Sequence, residues 1–318
     1  MWKLTDREKD KELRKAFVDT LSELMSENKK LVCVEADLGG ASGTTALAEK
    51  YPDQFIQAGI SEANMIGMAC GMSMRGYIPF VHTFSPFSTR RALDQIYLEG
   101  AYADNTINIY GSDPGVCAAA NGGTHNTFED ITIMRAIPNT IVLAPADSVA
   151  FEWAIKEVSK LKGVHYLRAN RKGNPPIYEE GSSFELGKSN VLKKGDKVAI
   201  FALGELVKYA LEAADELEKK GISAEVIDVF SVKPFDVELV VKEAQEKKLL
   251  VSFENHSVAG GIGSIIAEII AEKGLAAKLV RIGARESFGQ VGAYDDLRKA
   301  YGFTKENLVE TIEKEISK

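Results

Sequence analysis

FIQAGISEANMIGMACGMSMRGYIPFVHTFSPF, residues 55–87, reads as strand, helix and strand. Its single acidic side chain, Glu62, stands where the first strand turns into the helix, and Ser61 just before it is a natural N-cap. An acid in the first turn is also what the helix dipole favours by itself. Ala63, Gly67 and Gly71 recur every four residues and share one helix face. Glycine within a helix costs about 1 kcal/mol relative to alanine, so this face predicts close approach by another backbone. The second strand ends in His82-Thr83-Phe84, with Phe87 one turn-like step later. A carboxylate at a helix start beside two aromatic rings has the parts of a cofactor pocket, although the same rings also suit plain core packing.

Toward the N-terminus, residues 8–28 predict an amphipathic helix with Leu13, Phe17, Leu21 and Leu24 on one face. A strand over 31–34 ends at Glu35-Ala36-Asp37-Leu38 and runs into a small-residue turn, Gly39 to Gly43. A strand end followed by glycine-rich backbone is where α/β folds hold ligands. Toward the C-terminus come a helix over 89–102, a strand over 106–110 and a long loop of small residues from Gly111 to His125. Loops of that length in compact domains are uncommon and often functional. Helix 128–137, strand 140–144, helix 148–161 and strand 164–168 complete the first unit. Residues 173–190, polar with Gly173, Pro175, Pro176 and Gly181, read as a linker between domains at 1–172 and 191–318. The second domain repeats the alternation, with strands over 198–203, 224–229, 249–253 and 278–282 and helices over 207–220, 237–246 and 264–273. Glu254-Asn255-His256 and the glycines of 260–263 read as a structural strand-to-helix turn, because the dinucleotide-binding glycine spacing is incomplete. The fold class is α/β, two parallel-sheet domains covered on both faces.

The 318 residues suggest about two domains. The net charge is −7 and no long basic run is present, which argues against nucleic acid as a partner. No apolar run reaches the ~20 residues of a membrane span, and the charged N-terminus lacks the apolar core of a signal peptide. Cys33, Cys70 and Cys117 are odd in number and form no CxxC, which fits a reducing, cytoplasmic setting. Walker A, HExxH, zinc-type and G-x-S-x-G motifs are absent, and the histidines are scattered, so no metal site is expected on this chain alone.

The stretch GISEANMIGMACGMSMRGYIPFVHTFSPFSTRRALDQI resembles the pyrimidine-binding domain of transketolases, and GGTHNTFEDITIMRAIPNTIVLAPAD is similar to that family's second signature. The resemblance covers nearly the whole chain and corresponds to the C-terminal half of a full-length enzyme, as in split, two-gene transketolases. It implies transfer of a two-carbon ketol unit from a ketose phosphate to an aldose phosphate with thiamin diphosphate. By the same resemblance, Glu62 hydrogen bonds the aminopyrimidine ring and shifts it to the imino form that takes the thiazolium proton. A helix N-terminus lowers the pKa of such a glutamate and an apolar pocket raises it, so desolvation by Phe84, Phe87 and a subunit contact has to win. Phe84 and Phe87 match the aromatics that pack on the pyrimidine, and Arg90 stands where many relatives carry a further aromatic. His125 matches the histidine that faces the ketose carbonyl and hydroxyls, as proton donor or acceptor. Arg168 matches the arginine for the substrate phosphate, with Arg171 close by. Asp37 and Ser42 map to the loop lining the substrate channel.

The pattern departs from the family at three places. Asp113 stands for a histidine near the substrate phosphate, Asn121 for an aspartate that reads a donor hydroxyl, and Ala120 for an acid. An anionic Asp113 would repel a phosphate at close range, and an amide at Asn121 is no charged acceptor. The Gly-Asp-Gly motif that holds the diphosphate and its Mg2+ or Ca2+ is missing, since Gly195-Asp196-Lys197 lacks the second glycine. The resemblance therefore implies a separate N-terminal subunit that supplies the diphosphate half, with homodimerisation of this chain inside an α2β2 heterotetramer. The β subunit of a 2-oxoacid dehydrogenase first component, deoxyxylulose phosphate synthase and a non-catalytic partner that kept the fold are the alternatives.

Overall fold

The computed structural model describes residues 1–318. The chain divides into two compact units, Met1–Pro114 with Ile133–Phe184, and Gly115–Thr132 with Glu185–Lys318.

In the first unit α1 (Leu13–Glu27) buries Leu13, Phe17 and Leu21 along its predicted face. It begins later than the periodicity predicts, and Asp10, in the stretch before it, accepts from Ser148 N–H at 2.8 Å. Thr5 N–H donates to Ile177 O (3.0 Å) and Glu179 N–H to Lys3 O (2.9 Å). Next come β1 (Leu31–Glu35), the short helical turns α2 (Gly39–Ser42) and α3 (Thr45–Lys50), and β2 (Phe55–Gln57). The quoted stretch continues as α4 (Glu62–Met74), β3 (Ile78–Phe84) and α5 (Ser85–Ser88). The helix expected over 89–102 is split: α6 (Leu93–Gln95) runs into a π-helical segment, Ile96–Tyr102. Then follow β4 (Ile107–Ser112), α7 (Asp130–Ala136), β5 (Thr140–Leu143), α8 (Ser148–Val158) and β6 (Val164–Ala169).

The strands run parallel in the order β5-β6-β4-β3-β1-β2. Register brings their C-terminal ends level, with Glu35 opposite His82, and Phe84 opposite Ser112, itself opposite Ala169. Those ends are where a parallel α/β sheet holds ligands.

Two local expectations change. Ser61 occupies the N-cap position, yet its hydroxyl does not cap α4 and donates instead to Ala58 O at 2.7 Å. The glycine face of α4 meets no second backbone within the chain. A Cβ on Gly67 would lie 2.8 Å from the Glu99 carboxylate, and one on Gly71 would meet nothing within 4 Å.

The second unit holds β7 (Asn190–Lys193), β8 (Val198–Ala202), α9 (Val207–Lys219), β9 (Ala224–Asp228) and β10 (Ser231–Lys233). Then come α10 (Val237–Glu246), β11 (Leu249–Ser257), α11 (Ile262–Glu272), β12 (Lys278–Ala284), α12 (Tyr294–Tyr301) and α13 (Lys305–Ile316). Its sheet order is β12-β11-β8-β9-β7. The sheet is not purely parallel, because β7 pairs antiparallel with β9. β7 is short and alternately buried, as suits an edge strand on an otherwise parallel sheet. Glu254-Asn255-His256 lies inside β11 rather than beyond it, and all three residues are buried.

Candidate active site

Glu62 opens α4 and is 3% exposed. Its carboxylate Oε1 accepts from Arg91 Nη1 at 2.9 Å. The Arg91 guanidinium carbon lies 3.9 Å from the centre of the Phe87 ring. Phe87 in turn meets Phe84 edge-on, with centroids 6.0 Å apart and planes at 90°. The structure thus brings together three residues singled out from sequence, Glu62, Phe84 and Phe87, and adds Arg91, which sequence reasoning missed. Arg90, the expected neighbour of the cofactor, is exposed.

At the end of β4 the Asp113 carboxylate accepts from the Arg171 backbone N–H at 2.9 Å and from Arg171 Nε. The Arg171 guanidinium lies 4.6 Å from the Phe84 ring centre. Asp113 is 5% exposed at its side chain and Arg171 22%. Asp113 is therefore a paired anion, and the repulsion expected of a bare carboxylate does not apply to it in that form. Arg168 sits in β6 opposite Gly111 and is buried, so of the two arginines Arg171 reaches further toward solvent.

Asp37 is exposed, in the left-handed region at φ 61°, and its backbone N–H donates to Gln57 Oε1 at 2.8 Å. Ser42 faces inward instead. Its hydroxyl donates to Glu35 Oε2 at 3.0 Å, alongside Thr44 Oγ1 at 2.6 Å. Glu35 also accepts from Ala36 N–H at 3.2 Å and pairs with His82 Nδ1, 3.0 Å away, whose Nε2 is 3.1 Å from Ser112 Oγ. Glu35, Ser42, His82 and Ser112 are all fully buried. Burial pushes the Glu35 carboxyl up, and the neighbouring His82 with the bonds from Thr44 and Ser42 outweighs it, leaving the group below its ordinary value. The line Ser112–His82–Glu35 has the contacts of a nucleophilic triad but no access for a substrate, so it braces the strand ends.

In the second unit Asn121 and His125 belong to the loop after Gly115. Asn121 is exposed within a short 3-10 segment, Ala119–Thr124. His125 is half-buried, and its Nδ1 is 2.8 Å from Thr124 Oγ1. The glycines before it have a packing reason. A Cβ on Gly123 would lie 2.6 Å from the Gly289 carbonyl oxygen, and Gly122 sits at φ 72°. Asn126 Nδ2 donates to Gln290 O at 3.0 Å, which ties the loop to the same turn. At the other end Asn255 Oδ1 accepts from Val116 N–H at 3.1 Å. The buried Glu254 accepts from the first N–H groups of α11, Ile262 at 2.8 Å and Gly263 at 2.9 Å. These are structural duties, as expected for that turn.

A planar, nitrogen-bearing group fits the Glu62–Phe87 slot, judged by what fills it now. The Arg91 guanidinium already lies on the ring face and donates an N–H to the carboxylate. An aminopyrimidine ring offers the same combination. No group of three or more His, Cys, Asp or Glu side chains is placed to hold a metal ion. No helix is long and apolar enough to cross a membrane.

Residues 9–175 match the family model of the transketolase pyrimidine binding domain, and residues 187–308 that of the transketolase C-terminal domain. A 6-deoxy-6-sulfo-D-fructose transketolase subunit of Clostridium sp. (strain MSTE9) is 41% identical over 297 residues, 93% of this chain and 92% of the relative. One of the apulose-4-phosphate transketolase subunits of Phocaeicola vulgatus is 33% identical over 299 residues, 94% and 95% of the two chains. Among solved structures, a split gene transketolase in an inactive beta4 tetramer superposes with a TM-score of 0.86 at 35% identity, over 95% of this chain and 97% of that one.

Proposed function

The chain belongs to the transketolase family, and on that premise we propose that it is the C-terminal subunit of a two-chain enzyme that moves a two-carbon ketol unit from a ketose to an aldose. The observation that carries the reading is the buried Glu62 carboxylate at the start of α4, aimed at a slot faced by Phe87. Bound thiamin diphosphate supplies a carbon nucleophile there. Glu62 holds the proton shared with the aminopyrimidine edge, and Phe84 and Phe87 orient the ring and exclude water from it. His125 serves as proton donor and acceptor toward the sugar hydroxyls, histidine being the side chain whose ordinary pKa lies nearest neutral. The diphosphate and its Mg2+ or Ca2+ fall to a separate N-terminal subunit in an α2β2 assembly, in keeping with the missing Gly-Asp-Gly motif. A cytoplasmic site of action goes with this reading.

The substrate class is a sugar with a terminal anion. The two relatives named above act on a sulfonated and a phosphorylated sugar. Both anions call for a forked cationic donor, and Arg171, held by Asp113 and backed by Phe84, is built as one. Arg168 and the exposed Asp37 and Asn121 are secondary candidates for the same substrate.

The test is ketol transfer by this chain alone and with its N-terminal partner, using xylulose 5-phosphate or 6-deoxy-6-sulfofructose as donor. Activity is expected only from the pair, and Glu62→Gln in that pair should lower kcat by roughly 10²–10⁴-fold, the usual contribution of a positioned proton-transfer group. Full activity of Glu62→Gln would refute the reading.

A further inference from the structure

We propose that Arg91 is an internal stand-in for the ligand of the Glu62–Phe87 slot, filling it in the ligand-free chain and leaving it when a planar nitrogen heterocycle enters. The inference rests on the reading of that slot given above and adds a regulatory step to it. Its basis is the coincidence of two contacts on one side chain. The guanidinium is flat and nitrogen-rich, it lies 3.9 Å from the Phe87 ring centre, and it gives Glu62 Oε1 an N–H at 2.9 Å. These are the two interactions a heterocycle in the slot must make, a face on an aromatic ring and a donor at its edge. A ligand that takes the same ring face and the same Glu62 oxygen displaces Arg91 from both contacts.

The exposures show which partner moves. Glu62 is 3% exposed and fixed in the first turn of α4, whereas the Arg91 side chain is 47% exposed and belongs to the turn between α5 and α6. The acid stays and the cation swings out. A stand-in is useful because an empty slot would leave a buried carboxylate without a donor, a costly state. A cation that stayed would also oppose function, since it occupies the Glu62 oxygen that the ring edge would bond. The exchange sets a threshold for binding. A ligand sees only the fraction of molecules in which Arg91 is out, and its apparent affinity falls by that fraction. A molecule that stacks but gives Glu62 no N–H does not repay the lost pair, so the slot is selective for donors.

The experiment measures cofactor binding without reference to turnover. Thiamin diphosphate with Mg2+ is titrated calorimetrically into the complex of this chain with its N-terminal partner, for the wild type, Arg91→Ala, Arg91→Lys and Phe87→Ala, each checked for an unchanged melting temperature. Arg91→Ala is expected to bind about 5- to 30-fold more tightly, the span given by a solvent-reached charge pair on a buried acid. Arg91→Lys, which keeps the charge but cannot lie flat on the ring, should fall between. Equal or weaker binding by Arg91→Ala, with Phe87→Ala still impaired, overturns the stand-in and leaves the cofactor reading intact. Failure of the wild-type complex and Arg91→Ala alike to bind removes both.

Discussion

Replacing Asp113 by Asn and Arg171 by Leu, singly and together, measures whether the anion at the end of β4 is as fully neutralised as its contacts indicate. Asp113 sits at φ 51°, a left-handed conformation that Asn also tolerates, so the backbone survives the first change. Its amide oxygen can still accept the Arg171 backbone N–H that Asp113 now takes at 2.9 Å. The freed guanidinium, already 22% exposed, turns to water. A cost of about 1 kcal/mol follows, that of one charge-assisted bond exchanged for solvation. Arg171→Leu does worse, because it leaves a carboxylate that is 5% exposed with no cation. Breaking a fully buried pair costs about 3–5 kcal/mol, and partial exposure of Arg171 reduces this to about 2–3 kcal/mol. With the charge also gone in the double variant, most of that penalty disappears, and the coupling should be about 1–2 kcal/mol. Urea unfolding read at constant slope gives each value. Additivity within about 0.5 kcal/mol would refute the argument. Function supplies a second reading of the same pair. A neutralised Asp113 does not repel an anionic sugar, so Asp113→Asn should not tighten KM for a phosphorylated or sulfonated substrate, while Arg171→Leu should weaken it about 10- to 100-fold. A marked gain in affinity from Asp113→Asn would mean that the carboxylate is felt bare.

Acid should unfold the chain through groups in the first unit. His165 is buried neutral with its pKa pushed down to about 4, so its contribution is intact above its ordinary 6.5 and is lost as pH falls toward 4. Glu35 is held below its ordinary 4.5, and its contribution is lost below that value, in the same direction. Unfolding free energies from urea titrations at pH 7 and pH 5 should therefore differ by about 2 kcal/mol, and His165→Gln should flatten that part of the profile. Gly123→Ala would put a methyl 2.6 Å from the Gly289 carbonyl oxygen. It should cost about 1–3 kcal/mol and speed hydrogen exchange between residues 119 and 126, with unchanged exchange as the contrary result.

The fold was legible because hydrophobic runs and their breakers alternate cleanly, and most strands and helices of the first unit overlap the segments that periodicity assigns them. β7 was not, since four residues at the end of a polar segment carry too short an alternation to separate strand from linker. The helix over 89–102 was read as continuous because periodicity does not see the switch to π-helical bonding at Ile96. In the site, Glu62, Phe84 and Phe87 could be found because a helix start and a strand end fix where they point. The partners could not. Nothing in the sequence marks Arg91, and only the fold brings it to Glu62 and Phe87. Glu35 ends an apolar strand, and its match to His82 depends on the register of β1 on β3, which spacing along the chain does not state.

Three carboxylates of the first unit, Glu35, Glu62 and Asp113, each face one cationic or imidazole partner, and the exposure of that partner sorts their duties. His82 beside Glu35 is 0% exposed, so the pair has no route to exchange and can only hold β1 to β3. Arg171 beside Asp113 is 22% exposed, enough for the outer edge of its guanidinium to meet an anion while Nε stays on the carboxylate. Arg91 beside Glu62 is 47% exposed, enough for the whole head to leave. The acid is buried in every case, so ligands cannot act by reaching it through solvent and must act by sharing or replacing its partner. The C-terminal end of one sheet therefore carries a fixed brace, a shared anion reader and an exchangeable plug. Salt should separate them, because screening weakens a pair in proportion to its access to ions: the Glu62–Arg91 contact should loosen first with ionic strength, and the apparent affinity for thiamin diphosphate should be less salt-sensitive in the wild type than in Arg91→Ala. The opposite order would mean that the plug is not competing with the ligand at all.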